Sequence, residues 1–150
     1  MKKAFTLIEL MVVVVVIGIL LAVIMPRMML LIDKSREKTT AKNLKNIKLA
    51  LDLYCEGPDG GYIYPTTKEE FKEILENKFG EGKIPRAVLR VGSGVSASNE
   101  CHVLGSVTLI PASPEGGWAL IAEGEHRGYV FINSTKLDVY GEPYTNYSCW

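Results

Sequence analysis

From Phe5 to Met25 the chain has 21 residues in which only Thr6 and Glu9 are polar, and Gly18 is the one other residue that is not plainly apolar. At about 1.5 Å of rise per residue, such a segment makes a helix roughly 31 Å long, close to the ~30 Å hydrocarbon thickness of a bilayer. The run Val12 to Val16 is a poor helix former in water, but in lipid a helix satisfies all its backbone hydrogen bonds internally. Lys2 and Lys3 precede the run, which predicts a cytoplasmic N-terminus with the chain beyond Met25 on the other side. A cleaved secretory signal would have a shorter apolar core and a small-x-small cleavage site, whereas Arg27 and Met28 follow here. Hydropathy alone describes a signal anchor. Of the 150 residues, 17 are basic and 17 acidic, so no strong overall field invites nucleic acid. A soluble cytoplasmic enzyme does not fit.

Glu9 says more than hydropathy does. A carboxylate at the edge of an apolar helix costs ~2.5–3.5 kcal/mol on insertion scales and marks function by default. The string Lys2-Lys3-Ala4-Phe5-Thr6-Leu7-Ile8-Glu9-Leu10, followed by a long apolar run and Pro26, resembles the processing site of type IV pilins and of the pseudopilins of type II secretion. The resemblance covers residues 1 to about 55 firmly and the remainder loosely. It implies that a membrane-embedded prepilin peptidase cuts between Ala4 and Phe5 and methylates the new amine of Phe5. It further implies that Glu9 pairs with the N-terminal amine of a neighbouring subunit during assembly. The physics agrees, because a carboxylate held in an apolar layer wants a cation. Family members usually carry Gly before the scissile bond; with Ala4 here, cleavage is expected to proceed more slowly. Loss of Lys2 and Lys3 leaves 15 basic against 17 acidic groups, a net charge near −2.

Pro26 removes a backbone donor, so a kink or local melting is expected there, with Gly18 a second weak point. Beyond it Leu44, Ile47, Leu51 and Tyr54 recur at helical spacing with Ala50 beside them. Lys34, Arg36, Glu37, Lys38, Lys42, Lys45 and Lys48 fill the other positions. The apolar stripe is expected to pack on the protein's own C-terminal part, with the charged face solvated. One helix from about Phe5 to Cys55 should end at the turn cluster Gly57-Pro58-Asp59-Gly60-Gly61.

The remaining sequence is of a different kind. Thr67 with Glu70 forms a capping box for a short helix with Phe71, Ile74 and Leu75 on one face, ended by Gly80 and Gly82. Ala87 to Val91 reads as a short strand and Ser93 to Asn99 as a loop. Val103 to Ile110, Gly117 to Ala122 and Gly128 to Asn133 read as strands, the last two joined by Glu123–Arg127 as a hairpin. The expected fold is α+β and pilin-like, one long N-terminal helix (transmembrane half plus amphipathic half) packed on a small antiparallel sheet. Its divisions are a leader over 1–4, a transmembrane or filament-core helix over 5–26, an amphipathic stem over 27–55 and a globular head over 56–150.

Cys55, Cys101 and Cys149 fall on the predicted exterior side, where disulfides persist. Spacing alone does not settle a pairing. Because pilins often tie down a C-terminal segment this way, the resemblance points first to Cys101–Cys149, with Cys55 as the alternative. His126 lies beside Glu123 and Glu125, and His102 lies two residues past Glu100, but solvated loops explain both better than a metal. Some pseudopilins bind calcium in a C-terminal acidic loop. Asp138 and Glu142 are the only nearby carboxylates here and lack that loop's Gly/Asp density, so no cofactor is expected, with calcium as the one alternative left open. Asn133-Ser134-Thr135 and Asn146-Tyr147-Ser148 match the glycosylation triplet by chance. Tyr140, Tyr144, Tyr147 and Trp150 are expected to cover the sheet.

No catalytic motif is present. The resemblance therefore implies a structural subunit, held by a single pass in a bacterial inner membrane with a periplasmic head. From there it would be drawn into an extracellular type IV pilus or a periplasmic pseudopilus. Its implied partners are identical or homologous subunits, the peptidase, an inner-membrane assembly platform and, before assembly, membrane lipid. A minor pilin serving adhesion or DNA uptake, and a monomeric anchored protein with an enzymatic head, are the other readings. Nucleic acid is not an expected partner.

Overall fold

The computed structural model describes residues 5–149. Its first element, α1, runs from Leu7 to Cys55, 49 residues or about 73 Å. Thr6 opens it as N-cap, two residues later than expected, because Thr6 and Glu9 form a capping box that fixes the first turn. The helix continues without interruption through Gly18 and Pro26, so local melting does not occur. Proline deletes only its own donor, and the turns on either side carry the helix across.

Every residue of α1 up to Ile32 is exposed, and burial begins at Asp33. The buried stripe is Asp33, Glu37, Thr40, Leu44, Ile47, Leu51 and Cys55, with Ala50 beside it. Its steps are all of three or four residues, so these residues lie on one face. Two expectations change here. Tyr54 falls just off the stripe and is exposed while Cys55 is buried, and Glu37 does not belong to a solvated face.

Helix α2, Lys68–Phe79, begins at the Thr67–Glu70 capping box and stops at Gly80. Phe71 and Leu75 bury fully, and α2 packs on α1. The sheet has four strands in the order β1 (Cys101–Leu104), β2 (Trp118–Ile121), β3 (Val130–Ile132) and β4 (Ser148–Cys149). β2–β3 and β3–β4 are antiparallel, but β1 pairs with β2 in parallel, with Cys101 opposite Trp118 and Leu104 opposite Ile121. The sheet is therefore mixed. The link over 105–117 is long enough for the crossover that a parallel pair needs. Within it Val107–Leu109 form a 3-10 turn, which is why the expected strand over 103–110 ends early. Ala87–Val91 forms no strand ladder, only a bridge from Ala87 to Ser98.

Both faces of the sheet are covered. Trp118, Leu120, Val130 and Ile132 join Leu44, Ile47, Leu51 and Phe71 in the main core. Ala119, Ile121 and Phe131 form a smaller core with Ile110 on the opposite face. That second burial explains why β2 and β3 read as continuous apolar runs rather than alternating ones. Asn133, fully buried, secures the covering loop: its Oδ1 accepts from Ala112 N at 2.7 Å, and its Nδ2 donates to the carbonyls of Ala112, Pro114 and Gly116. Its place in a glycosylation triplet is incidental.

Candidate assembly site

At the N-terminal end of α1, Glu9 turns back on its own helix start. Its Oε2 accepts from the Thr6 amide and from Thr6 Oγ1, both at 2.8 Å, while Thr6 Oγ1 accepts from the Glu9 amide at 3.3 Å. Phe5 is 74% exposed. The expected cleavage site pairs Phe5 with Ala4, which lies outside the described residues, as do Lys2 and Lys3. In the single subunit the carboxylate thus has neutral donors. An ammonium group from a neighbour would offer a stronger, charge-assisted bond in the same apolar surroundings.

The lower half of α1 is held to the head through a polar seam. Segment 86–91 runs beside the helix, and side chains of α1 pair with its backbone. Thr40 Oγ1 donates to Val88 O at 2.8 Å and accepts from Val88 N at 2.9 Å. Asp33 Oδ1 accepts from Val91 N at 3.0 Å, and Asn43 Nδ2 donates to Arg86 O at 3.4 Å. Glu37 Oε1 accepts from the Tyr144 hydroxyl at 2.7 Å and from Val139 N at 3.0 Å. Burial, helped by the Glu37 carboxylate, pushes the Tyr144 phenol well above its ordinary range. A segment without strand partners needs its amides and carbonyls satisfied elsewhere, and the polar part of the stripe does this. No part of this seam was anticipated, although the helical spacing Asp33, Glu37, Thr40 continuing into Leu44 was its signal.

The C-terminal loop closes around Asp138. Oδ1 accepts from the amides of Tyr140 at 2.7 Å and Glu142 at 2.9 Å, and Oδ2 accepts from the Tyr147 hydroxyl at 2.6 Å. Burial alone would raise its pKa, but the bonds from Tyr147 and the amides of Glu142, Tyr140 and Gly141 outweigh it and hold the carboxyl below its ordinary value. A depressed folded pKa stabilises the native state fully above the unfolded value near pH 4, and that contribution is lost as pH falls through the folded value. Asp138→Asn should therefore cost about 2 kcal/mol at pH 7. In urea melts of the detergent-solubilised chain, the gap to the wild type should narrow below about pH 4. A gap that widens on acidification would contradict this.

Of the C-terminal aromatics, Tyr144 is buried and Tyr147 half-buried, so both cover the core as expected, while Tyr140 is 67% exposed; Trp150 lies outside the described residues. The expected Cys101–Cys149 bridge is not formed, and all three thiols are free. Cys101 lies on β1 and Cys149 on β4, opposite edges of the sheet. Three strand spacings separate them by about 14 Å, well beyond the ~4.4–6.8 Å between Cα atoms that a disulfide tolerates. Burial, reinforced by Glu100, pushes the Cys101 thiol up to about 12. His102 is buried with no partner for its Nε2, and burial, with Lys68 assisting, lowers its pKa. Glu100 pairs with Lys68 at 2.9 Å rather than with His102. His126 sits edge-on to Tyr129, centroids 5.2 Å apart. Among the described residues, no group of three His, Cys, Asp or Glu side chains gathers.

The fold and its exposed N-terminal helix define a class of protein: a head carried on one helix that is long and apolar enough to cross a membrane. Residues 1–25 match the prokaryotic N-terminal methylation motif. The chain is 34% identical over 79 residues to the type II secretion system core protein G of Pseudomonas aeruginosa, covering 53% of this chain and 54% of that protein. It is 26% identical over 134 residues to the protein of the same name from Escherichia coli K12, covering 89% and 81%. To that of Klebsiella michiganensis it is 27% identical over 138 residues, covering 91% and 84%. No solved structure matches the chain. The chain thus carries a prokaryotic N-terminal methylation motif and is similar over its length to core protein G of type II secretion.

Proposed function

We propose that this chain is a structural subunit, not an enzyme, of a type IV pilus-like filament. It is made as an inner-membrane protein with a periplasmic head, cleaved between Ala4 and Phe5 by a prepilin peptidase, methylated on Phe5 and assembled through α1. The observation that carries this reading is the burial boundary in α1: Leu7 to Ile32 is wholly exposed and almost wholly apolar, while the helix beyond is clamped to the head. A surface of that kind requires lipid or neighbouring helices. Exchanging lipid for other copies of the same helix loses little hydrophobic free energy, so extraction from the bilayer is thermodynamically open. Glu9 then supplies register, pairing with the Phe5 amine of the adjacent subunit.

The version of this filament found in type II secretion, a periplasmic pseudopilus, is favoured by one further observation: all three relatives named above are core protein G of that system. The deciding experiment shears surface filaments, images them and determines the mass of the subunit. A chain beginning at methylated Phe5 in long external fibres selects the pilus. The same processed chain found only in the envelope selects the pseudopilus. An uncleaved chain that remains monomeric in the membrane would end both.

A further inference from the structure

The overall neutrality of the chain conceals a division. Residues 27–55 carry seven basic and three acidic groups, net +4, and residues 56–150 carry eight basic and thirteen acidic, net −5. Of the three stem carboxylates, Glu37 is buried in the seam and Asp33 is buried there with Arg36 beside it at 3.8 Å, so the outward surface at this end of the stem is basic through Arg27, Lys34 and Lys38. Large apolar side chains of the head are exposed at the same end. Val91 is 55% exposed, Leu137 46% and Tyr140 67%.

Their position along α1 is fixed by the hydrogen bonds of the seam. Val91 N binds Asp33 and Val139 N binds Glu37, while Lys34 Nζ lies 5.3 Å from the centre of the Tyr140 ring. Val91 and Tyr140 are thus held within about one helical turn of Lys34, and Leu137 lies two residues before Val139 on the same loop. With Leu7 at the inner hydrocarbon edge, the helix from Leu7 to Pro26 spans about 30 Å, a hydrocarbon layer, and the outer headgroup layer, about 5–7 Å deep, ends near Leu31. Arg27 then falls at the hydrocarbon boundary, and Lys34 and this rim of the head begin about 5 Å beyond the outer headgroups, a gap that a lysine side chain or a modest tilt of α1 spans. An exposed tyrosine with a lysine over its ring suits that layer, apolar on one side and wet on the other. Loop 88–97 has no carboxylate, and over 136–144 Asp138 is closed in its own loop, leaving Glu142 as the exposed acid.

We propose that this rim is a lipid-docking surface. In the unassembled subunit, Val91, Leu137 and Tyr140 meet the outer face of the headgroup layer of the bilayer that α1 spans, and Arg27 and Lys34 hold anionic headgroups there. The head is thereby seated on the membrane rather than free at the end of a stalk. Assembly has to lift it off. The inference rests on the membrane-spanning part of the proposed function and not on filament formation.

Hydrogen exchange of the full chain in vesicles tests it. With phosphatidylglycerol mixed into phosphatidylcholine, peptides covering 89–97 and 136–142 should exchange on the order of ten-fold more slowly than in phosphatidylcholine alone, and high salt should remove the difference. The hairpin at 123–127 should not respond. Tyr140→Ser with Lys34→Gln should bring both peptides to the phosphatidylcholine rate while leaving core peptides protected. Equal exchange in the two lipids would overturn the proposal. So would protection that grows with protein-to-lipid ratio at fixed lipid composition, which would mean that a second copy covers the rim. Removal of the chain from vesicles by an alkaline wash would overturn the span itself, whereas absence of filaments alone would leave the lipid contact standing.

Discussion

Glu9→Ala should leave the chain in the membrane and keep it out of filaments. Insertion becomes easier, since a carboxylate at the helix edge no longer has to be accommodated. The first turn of α1 loses the bonds that Glu9 Oε2 accepts from Thr6, a local cost of about 1 kcal/mol, which cannot unfold a 49-residue helix. Assembly is different. A Phe5 ammonium buried among apolar helices without its counter-ion costs about 3–5 kcal/mol, enough to reduce incorporation by at least about a hundred-fold. Comparing the sheared and membrane fractions of the variant with those of the wild type measures both halves of the expectation. Glu9→Gln separates charge from capping, because the amide still accepts the two bonds from Thr6 yet offers no charge to a cation. Filaments at wild-type yield from Glu9→Gln would assign Glu9 to capping alone, and normal filaments from Glu9→Ala would remove it from assembly altogether.

Trp118→Ala should be the most damaging single truncation in the head. Trp118 is fully buried between the sheet and the helices, and its indole N–H donates to Pro85 O at 2.8 Å. Truncation loses the buried ring, opens a cavity and leaves the Pro85 carbonyl without that donor. The expected cost is about 3–5 kcal/mol from the ring alone and about 1 kcal/mol more from the bond. Against a typical total of about 5–15 kcal/mol, the head should be largely unfolded near body temperature, as followed by near-UV circular dichroism and proteolysis. Trp118→Phe keeps most of the volume and should cost about 2 kcal/mol. If both variants melted like the wild type, the core described for β2 would be wrong.

The parts that could be read ahead of the structure are those governed by neighbours in sequence. The apolar run, the capping box at Thr67 and Glu70, and the hairpin between β2 and β3 all follow from residues within a few positions of one another. The errors share the opposite character. Cys101 and Cys149 were expected to pair, yet strand order sets them at opposite edges of the sheet, and no spacing in the sequence encodes that order. The strand over 103–110 gave way to a 3-10 turn because its second half serves a parallel crossover. Glu37 looked like one more charge on a wet face, and only the arrival of Tyr144, 107 positions away, makes it an acceptor in the seam.

By itself, then, the sequence determined that this protein has a membrane-length apolar helix with a carboxylate near its start, because helical rise and the cost of charge in lipid act along a single segment. The tertiary structure alone decided where that helix stops being exposed, which carboxylates it hides and which rim of the head sits beside Lys34. Those features depend on backbone groups of segments 86–91 and 138–144 meeting α1, and a buried amide or carbonyl selects its partner by proximity in space and not by distance along the chain.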